Sequence, residues 1–459
     1  MHPLTANEDS RLLFWARVRE FGVPPSMIEP ATARREVGDW AGACAAARVD
    51  VDLDLRAVGR AHGRELASRV RADLRRLAPD LLRRHFPRIA PDGLLRPGLT
   101  VSLARYPPTV DGGGAVHLVA RTPPAWAEAG QRISLALWDP AGPRAGAEPH
   151  PHPRPDRRFR LDLHRHLWDV RRAGELGERS GIGPRPGGPA VAGLPDGAVP
   201  RWRGFAVDRW PAEAALLLRA EGCPDGVVTV RLGARSRVLL HPGGAGSATP
   251  RITAAPPGGR GRASPVLPDA ATRVLPDLEL LRAGLVDADR LHPLVASALL
   301  PGHRPTGVPR SPDRAGSTRL VRCRGTTHRI GVVDGVLVPL DHDPDELRRE
   351  ELLVALGGPP LPCLRAIDDV HRRPESLVDV RARLDHGDTA GALTVVEGLL
   401  GPDALLRGGA LRDELEAAVR RRVAHGLFRA GLAGSGPVPA GRDSRRRDLR
   451  SHPRHVIPR

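Results

Sequence analysis

Hydrophobic residues recur every three to four positions between residues 53 and 86, which is the spacing of one face of an amphipathic helix. Leu55, Val58, Leu66 and Val70 belong to this apolar face, and arginines follow the opposite face at Arg56, Arg60, Arg64, Arg71 and Arg75. Pro79 predicts a second short helix that begins near it. Shorter helices interrupted by prolines are expected over 8–46. The pattern therefore predicts a helical region over residues 1–92.

The hydrophobic period changes to two from about residue 94, which is typical of half-buried strands. A helix is expected over Pro211–Glu221, followed by a hairpin over Val227–Leu232 and Arg237–His241. The earlier predicted strands lie around Leu99–Leu103, Val116–Ala120, Ile133–Leu137 and Phe159–Leu163. These elements predict a β-rich domain over residues 93–241.

The rest of the chain alternates between Gly/Pro-rich stretches and periodic segments. Residues 242–268 and 301–317 are predicted linkers, and 269–300 is a predicted helical segment. Three short β runs precede several helices in a predicted domain over 318–432. The arginine-rich tail 433–459 has little apolar content and is predicted to be disordered. The fold class expected is α+β, with N-terminal helices, a β-rich middle and a C-terminal β-meander followed by helices.

The composition excludes several kinds of chemistry. The chain has 459 residues with a formal net charge of +17, and all 70 of its basic residues other than histidine are arginine. The abundance of residues with G/C-rich codons indicates a high-GC genome, which weakens the net charge as a functional signal. Without lysine there is no P-loop lysine, no Schiff-base lysine and no kinase ATP lysine.

The distribution of charged residues favours a cytoplasmic protein. Acidic and basic residues interrupt the first 21 positions, so no signal peptide is predicted. No apolar run approaches the length of a membrane span, and no membrane partner is expected. The four cysteines are widely separated, which fits a reducing compartment.

Several clusters of histidine, cysteine and acids were weighed as metal sites. Asp343 precedes Pro344 and lies three residues before Glu346, which is the spacing of a capped helix start and predicts a helix over about 344–356. The His150/His152 and His164/His166 pairs are short of a zinc ligand set, with the first pair expected in solvent and the second on one face of a strand end. Cys323, His328 and Cys363 are a conceivable zinc set, but buried core thiols are the expectation. No metal and no cofactor are therefore predicted.

The segment from His386 to Leu400 resembles the two-helix part of an ankyrin repeat. A Gly-Asp step leads into a helix with the apolar face Val395, Val396, Leu399 and Leu400, although the T-P-L-H motif and a second copy are missing. The resemblance implies a protein-binding surface, with the partner contacted by His386, Asp388, Thr394 and Glu397.

The block over 321–363 is similar to a segment that precedes ankyrin-type helices in uncharacterised proteins of high-GC actinobacteria. Some of these proteins are encoded near AAA-type ATPases and von Willebrand A proteins, which implies a partner of either kind.

The leading hypothesis from the sequence is a non-catalytic interaction or scaffold protein of unknown process. Its support is the ankyrin-like unit and the lack of a coherent catalytic motif, so no catalytic residues are assigned. One alternative is an enzyme with a dispersed hydrolase-type site built from histidine and aspartate. A second alternative is arginine-dependent nucleic-acid binding, which a continuous stripe of arginines free of acids would favour.

Overall fold

A computed structural model defines the fold of this protein in two units. Unit 1 comprises Met1–Glu128, Arg132–Thr306 and Phe428–Arg459, and unit 2 comprises Ala129–Gln131 and Gly307–Leu427. Residues are described over 11–107, 114–127, 131–142, 150–182, 204–233, 236–243, 249–255, 264–304, 319–323, 326–333, 336–339, 341–359, 361–364, 375–400 and 410–432. The fold is α+β, as predicted: helices lie at the N-terminus, sheets in the middle, and a meander followed by helices toward the C-terminus.

The N-terminal part of unit 1 is helical, and its predicted long apolar face is confirmed. Residues 11–17 are α-helical and continue into a π-helical turn at Val18–Gly22, ahead of five further helices. The helices are α1 Pro25–Glu36, α2 Trp40–Ala46, α3 Leu55–His62, α4 Arg64–Arg76 and α5 Pro79–His85. The prediction of a single helix before Pro79 is wrong, because the chain breaks between α3 and α4 at Gly63, whose φ of +89° suits glycine. Val58, Leu66, Val70 and Leu74 are buried, whereas Arg56 and Arg64 are exposed.

A four-stranded sheet packs against these helices in a common core. Its strands are β1 Val49–Val51, β4 Thr100–Tyr106, β5 Val116–Arg121 and β6 Ile133–Trp138. A two-stranded ribbon, β2 Arg88–Ile89 with β3 Leu94–Leu95, precedes β4. The spatial order of the sheet is β1-β6-β5-β4, and only the β1–β6 pair is parallel. The three strands predicted here are confirmed as β4, β5 and β6, which pair antiparallel, and β1 is an addition that the sequence did not reveal.

The predicted strand at Phe159–Leu163 is wrong. Phe159 and Leu161 are buried, but this segment forms turns and pairs with the sheet only through a bridge between Arg160 and Ser102. The backbone forms a turn instead, because the Leu163 N–H donates a hydrogen bond to the Arg160 carbonyl oxygen. The alternation of hydrophobic and polar residues is not matched by alternating burial here, because Phe159, Arg160 and Leu161 are all buried.

The second half of unit 1 contains a smaller sheet and short helices. The predicted helix is confirmed as α7 Trp210–Ala220, and the predicted hairpin as β7 Val228–Arg231 with β8 Arg237–His241. A third strand, β9 Arg251–Ala254, pairs with β8 and comes from the predicted linker 242–268. The elements, in chain order, are α6 Glu175–Ser180, α7 Trp210–Ala220, β7 Val228–Arg231, β8 Arg237–His241, β9 Arg251–Ala254, α8 Asp269–Thr272, α9 Pro276–Arg282 and α10 Pro293–Leu299. The main core includes residues from Val23 to Leu299, so the predicted regions 1–92, 93–241 and 269–300 share it.

Unit 2 begins with the predicted meander. Its three strands pair in the order β10-β11-β12, all antiparallel, and Val333 pairs with Val336. The elements are β10 Arg319–Cys323, β11 Thr326–Val333, β12 Val336–Pro339, α11 Pro344–Ala355, α12 Glu375–Asp385, α13 Thr389–Leu400 and α14 Ala410–Arg429. Asp343 caps α11 as predicted, because its Oδ1 accepts a hydrogen bond from the Asp345 N–H at 2.9 Å.

The predicted basic tail 433–459 and the predicted linker residues 305–317 lie outside the described residues. Over the part of the chain that the structure describes, no helix combines the length and apolar character that a membrane span requires.

Candidate anion-binding site

An arginine-lined cavity of about 210 Å³ lies in unit 1. Residues distant in sequence converge on it: the N-terminal helical segment, the end of α5, the loop that contains His166, and the segment from α8 to α9. Eight of the lining residues are arginines, namely Arg11, Arg19, Arg84, Arg88, Arg96, Arg179, Arg209 and Arg273. Among the described lining residues, a single one, Asp269, has a carboxylate. The cavity wall is therefore strongly cationic.

A buried carboxylate behind the wall holds two of these arginines. Asp277, at the start of α9, accepts from Nη2 of Arg19 at 2.8 Å and from Nη2 of Arg84 at 2.6 Å. The side chain of Asp277 is fully buried, and its ion pairs hold its pKa well below the usual range although burial alone would raise it. The Asp277 carboxylate is therefore ionised and fixes both guanidinium groups.

A second carboxylate, Glu213 of α7, accepts hydrogen bonds from two other arginines of the wall. Arg179 donates to both of its oxygens, at 2.8 and 2.6 Å, and Arg209 donates to Oε1 at 3.2 Å. His164 Nε2 lies 3.2 Å from Oε2. Burial would raise the pKa of Glu213, but His164 and Arg179 lower it to about 2. Arg11, also in the wall, pairs with Glu279. Asp277, Glu213 and Glu279 together therefore hold five arginines of the wall.

Arg88 and Arg273 have no carboxylate partner among the described residues. Arg88 donates to the carbonyl oxygens of Gly93 and Arg83, each at 2.8 Å, and its Nε has no hydrogen-bond partner. Arg273 stacks on Phe205, with its guanidinium carbon 4.4 Å from the ring centroid. Burial lowers the pKa of Arg88 to about 9, helped by Arg19 and Arg84. Burial and Arg11 lower the pKa of Arg273 to about 10.

The lowered pKa values of Arg88 and Arg273 indicate that the folded protein spends free energy to keep each guanidinium charged. A guanidinium remains protonated at neutral pH, so the protein holds one buried and one partly buried positive charge that no carboxylate contacts directly among the described residues. Charges in such positions are rare in proteins unless they are paired. An anion in the cavity would supply the missing negative charge.

The rest of the wall is apolar or neutral. Phe14, Trp15, Phe159 and Leu161 line the cavity together with His166. His166 is buried, and its Nδ1 has no hydrogen-bond partner in the described structure. Burial and the nearby His164 hold the pKa of His166 well below its usual value, so this ring is neutral at pH 7. A ligand with an anionic part and an apolar part would match this wall.

The histidines singled out in the sequence take different positions from those predicted. His164 and His166 lie on a 3-10 turn at Arg165–Leu167 rather than on a strand, with ring centroids 5.8 Å apart. His150 is buried and bonds through Nε2 to the carbonyl oxygen of Thr122 at 2.9 Å, so its predicted exposure to solvent is wrong. His152 is exposed. Over the described residues, none of these four belongs to a cluster with metal-ligand spacing.

The residues predicted to contact a partner divide into two pairs. His386 and Asp388 are 1% and 3% exposed, and they serve the turn between α12 and α13: Asp388 accepts from the Gly391 N–H at 3.3 Å and pairs with Arg383 at 3.2 Å. Their side chains therefore face the protein. Thr394 and Glu397 are exposed on α13 and remain open to a partner.

The arginine face of α3 and α4 is solvated, as predicted, and acids interrupt it in three dimensions as they do in sequence. Arg69 pairs with Glu65 at 2.5 Å, and Arg60 lies 4.0 Å from Asp54. This surface lacks the acid-free stripe that would favour nucleic-acid binding.

The chain matches no known protein-family profile, no curated protein and no solved structure. The resemblances to ankyrin repeats and to actinobacterial proteins therefore stay predictions. The cavity itself was not predicted. Its arginines are spread from Arg11 to Arg273 and look like any others among the chain's 70. The one local signal was His166, which the sequence offered only as half of a weak H-x-H pair.

Proposed function

We propose that unit 1 is a non-catalytic binding module for a small phosphorylated organic molecule. The observation that carries the proposal is the pair Arg88 and Arg273, two guanidinium groups with no carboxylate partner among the described residues at a cavity lined by six further arginines. Arg88 is buried and Arg273 is partly buried. The proposal keeps the non-catalytic role predicted from the sequence but gives it a small ligand.

The chemistry of the wall favours phosphate over a single carboxylate. The planar guanidinium fork matches the oxygens of either group, but several arginines around one cavity suit a multiply charged anion. Asp277 and Glu213 fix four of the arginines before any ligand arrives, so little side-chain entropy is lost on binding. The aromatic side chains Phe14, Trp15 and Phe159 provide an apolar surface for the organic part.

The test is calorimetric titration of the full chain at constant ionic strength with pyrophosphate, phenyl phosphate, succinate and sulfate. We expect saturable one-to-one binding of phenyl phosphate and pyrophosphate, each tighter than succinate or sulfate. Binding should weaken in Arg273→Met and remain in Arg132→Met, a control outside the cavity whose arginine pairs with Asp50. Equal, non-saturable responses to all four anions would contradict a built phosphate site. Tighter binding of succinate than of phenyl phosphate and pyrophosphate would show that the cavity binds a carboxylate rather than a phosphate.

A second candidate function is an enzyme that acts on the same ligand, and His166 is the observation that favours it. His166 is a buried, neutral imidazole whose Nδ1 has no hydrogen-bond partner among the described residues. A bound anion would raise the lowered pKa of this ring and so make it a better proton acceptor. Release of p-nitrophenol from p-nitrophenyl phosphate, lost in His166→Gln while binding of phenyl phosphate is kept, would establish this role. No turnover above the buffer rate would leave the binding module as the function.

A further inference from the structure

Two cysteines and a histidine from separate segments of unit 2 come together. Cys323 ends β10, His342 lies in the turn before α11, and Cys363 lies in a helical turn after α11. The two sulfur atoms and one ring nitrogen of His342 lie within 4.8 Å of one another. Both cysteines are fully buried, and the side chain of His342 is 3% exposed. The sequence offered His328 as the histidine of this set, but the structure brings His342 to the thiols.

His342 is held in a fixed orientation by two neighbours. Its Nδ1 lies 3.3 Å from Oε2 of Glu346, one turn into α11. The ring of His328 stacks on it, with centroids 4.1 Å apart and planes 10° from parallel. The other ring nitrogen, Nε2, is buried without a hydrogen-bond partner among the described residues. A carboxylate on one imidazole nitrogen with the second nitrogen left for an ion is the arrangement that orients metal-bound histidines.

We propose that unit 2 binds one Zn²⁺ through Cys323, His342 and Cys363, with water as the fourth ligand. Two thiolates and an imidazole are ligands that zinc accepts, at about 2.3 Å for sulfur and 2.0–2.1 Å for nitrogen. Mg²⁺ and Ca²⁺ prefer oxygen ligands and do not suit this set. Zinc binding brings the three ligand atoms closer than 4.8 Å and releases the thiol protons to solvent. This assignment departs from the expectation, made from sequence, that no metal is bound.

The role of the ion is structural. The described hydrophobic cluster around these residues has only three buried members, Cys323, Leu361 and Cys363. So small a core supplies little free energy of folding, and protein segments of this kind are often held by a metal. The ion would join the end of β10, the start of α11 and the segment that follows α11.

The first measurement is the zinc content of the full chain, purified under reducing conditions without chelator. We expect about one zinc per chain, and replacement by Co²⁺ should give a sulfur-to-cobalt charge-transfer band and the intense visible bands of a tetrahedral site. Cys363→Ser and His342→Ala should each lose the metal, whereas Cys223→Ser, which changes an exposed cysteine, should keep it.

Glu346→Gln gives a milder test that spares the ligands. We expect zinc affinity to fall by about 10- to 100-fold, while Asp345→Asn, a change at an exposed acid on the same helix, leaves it unchanged. Removal of zinc from the wild-type chain by a chelator should abolish an unfolding transition that is restored by added Zn²⁺. Absence of zinc after purification, together with no Co²⁺ spectrum on titration of the reduced wild-type protein, would overturn the proposal. Retention of full zinc affinity in both Cys363→Ser and His342→Ala would also overturn it.

Discussion

Replacement of Arg273 by methionine should make the ligand-free protein more stable while it weakens anion binding. In the folded protein Arg273 is partly buried at the cavity wall, without a carboxylate partner among the described residues, and stacks on Phe205. Methionine has a similar length and no charge, so it can occupy the same space next to the ring. The variant therefore removes the unpaired charge with little loss of packing.

The magnitude follows from the electrostatics of Arg273. Burial lowers its pKa from 12.5 to about 10, which corresponds to roughly 3 kcal/mol of cost for the charged form. Loss of the cation–π contact with Phe205 offsets about 0.5–1 kcal/mol of the gain. We expect a net increase of about 1–2 kcal/mol in the free energy of unfolding, since the folded protein also relaxes around the charge. Each kcal/mol should raise the melting temperature of the domain by about 2–4 °C.

The affinity should change in the opposite direction. A charge-assisted hydrogen bond to an anion contributes about 1.5–3 kcal/mol, so phenyl phosphate should bind about 10- to 100-fold more weakly. Arg132→Met is the matched control: Arg132 donates to both oxygens of Asp50, at 2.8 and 2.5 Å, outside the cavity. That change should lower stability and leave affinity unchanged. The reasoning is refuted if Arg273→Met destabilises the protein as Arg132→Met does, or if it leaves phosphate affinity intact.

Three further predictions concern buried or capping groups. Asp277→Asn leaves Arg19 and Arg84 without their shared carboxylate, so denaturant unfolding should show a loss of about 3–5 kcal/mol; a loss below about 1 kcal/mol would contradict the ionised state of Asp277. Burial lowers the pKa of His117 to about 4, so between pH 6.5 and 4 the unfolded chain binds a proton that the folded chain does not. Stability should therefore fall as the pH drops through this range, and His117→Asn should reduce the slope by up to one proton; an unchanged slope would exclude this contribution. Asp343→Ala removes the cap of α11 and should cost about 0.5–2 kcal/mol without changing zinc content, whereas loss of zinc would place Asp343 at the metal.

The sequence predicted those elements whose residues interact with close neighbours in the chain. The face of Val58, Leu66 and Val70 repeats at the helical period, and Asp343 with Pro344 starts a helix through adjacent backbone groups. The alternating pattern at Phe159–Leu163 wrongly predicted a strand, because the backbone forms a turn there and Arg160 is buried like its hydrophobic neighbours. β1 was missed because three residues are too few to show a period, and its parallel partner β6 lies more than 80 residues away.

The candidate sites depend on contacts that no local pattern contains. Arg19 and Asp277 are 258 positions apart, and Arg84 and Asp277 are 193 apart. The high arginine content hides the functional members, because an arginine at the cavity and one on the exposed face of α3 look alike in sequence. At the thiols, the sequence pointed to His328 by proximity to Cys323, whereas in the structure His342, just before α11, lies near both sulfur atoms.

The most direct measurement of the central claim is anomalous diffraction from crystals of the full chain soaked in tungstate, a tetrahedral dianion that scatters strongly. The account predicts a tungsten peak in the cavity of unit 1, within hydrogen-bond distance of guanidinium nitrogens of Arg88 and Arg273, which disappears when phenyl phosphate is added in excess. Tungsten peaks confined to surface arginines such as Arg56 and Arg64, with none in the cavity, would contradict it.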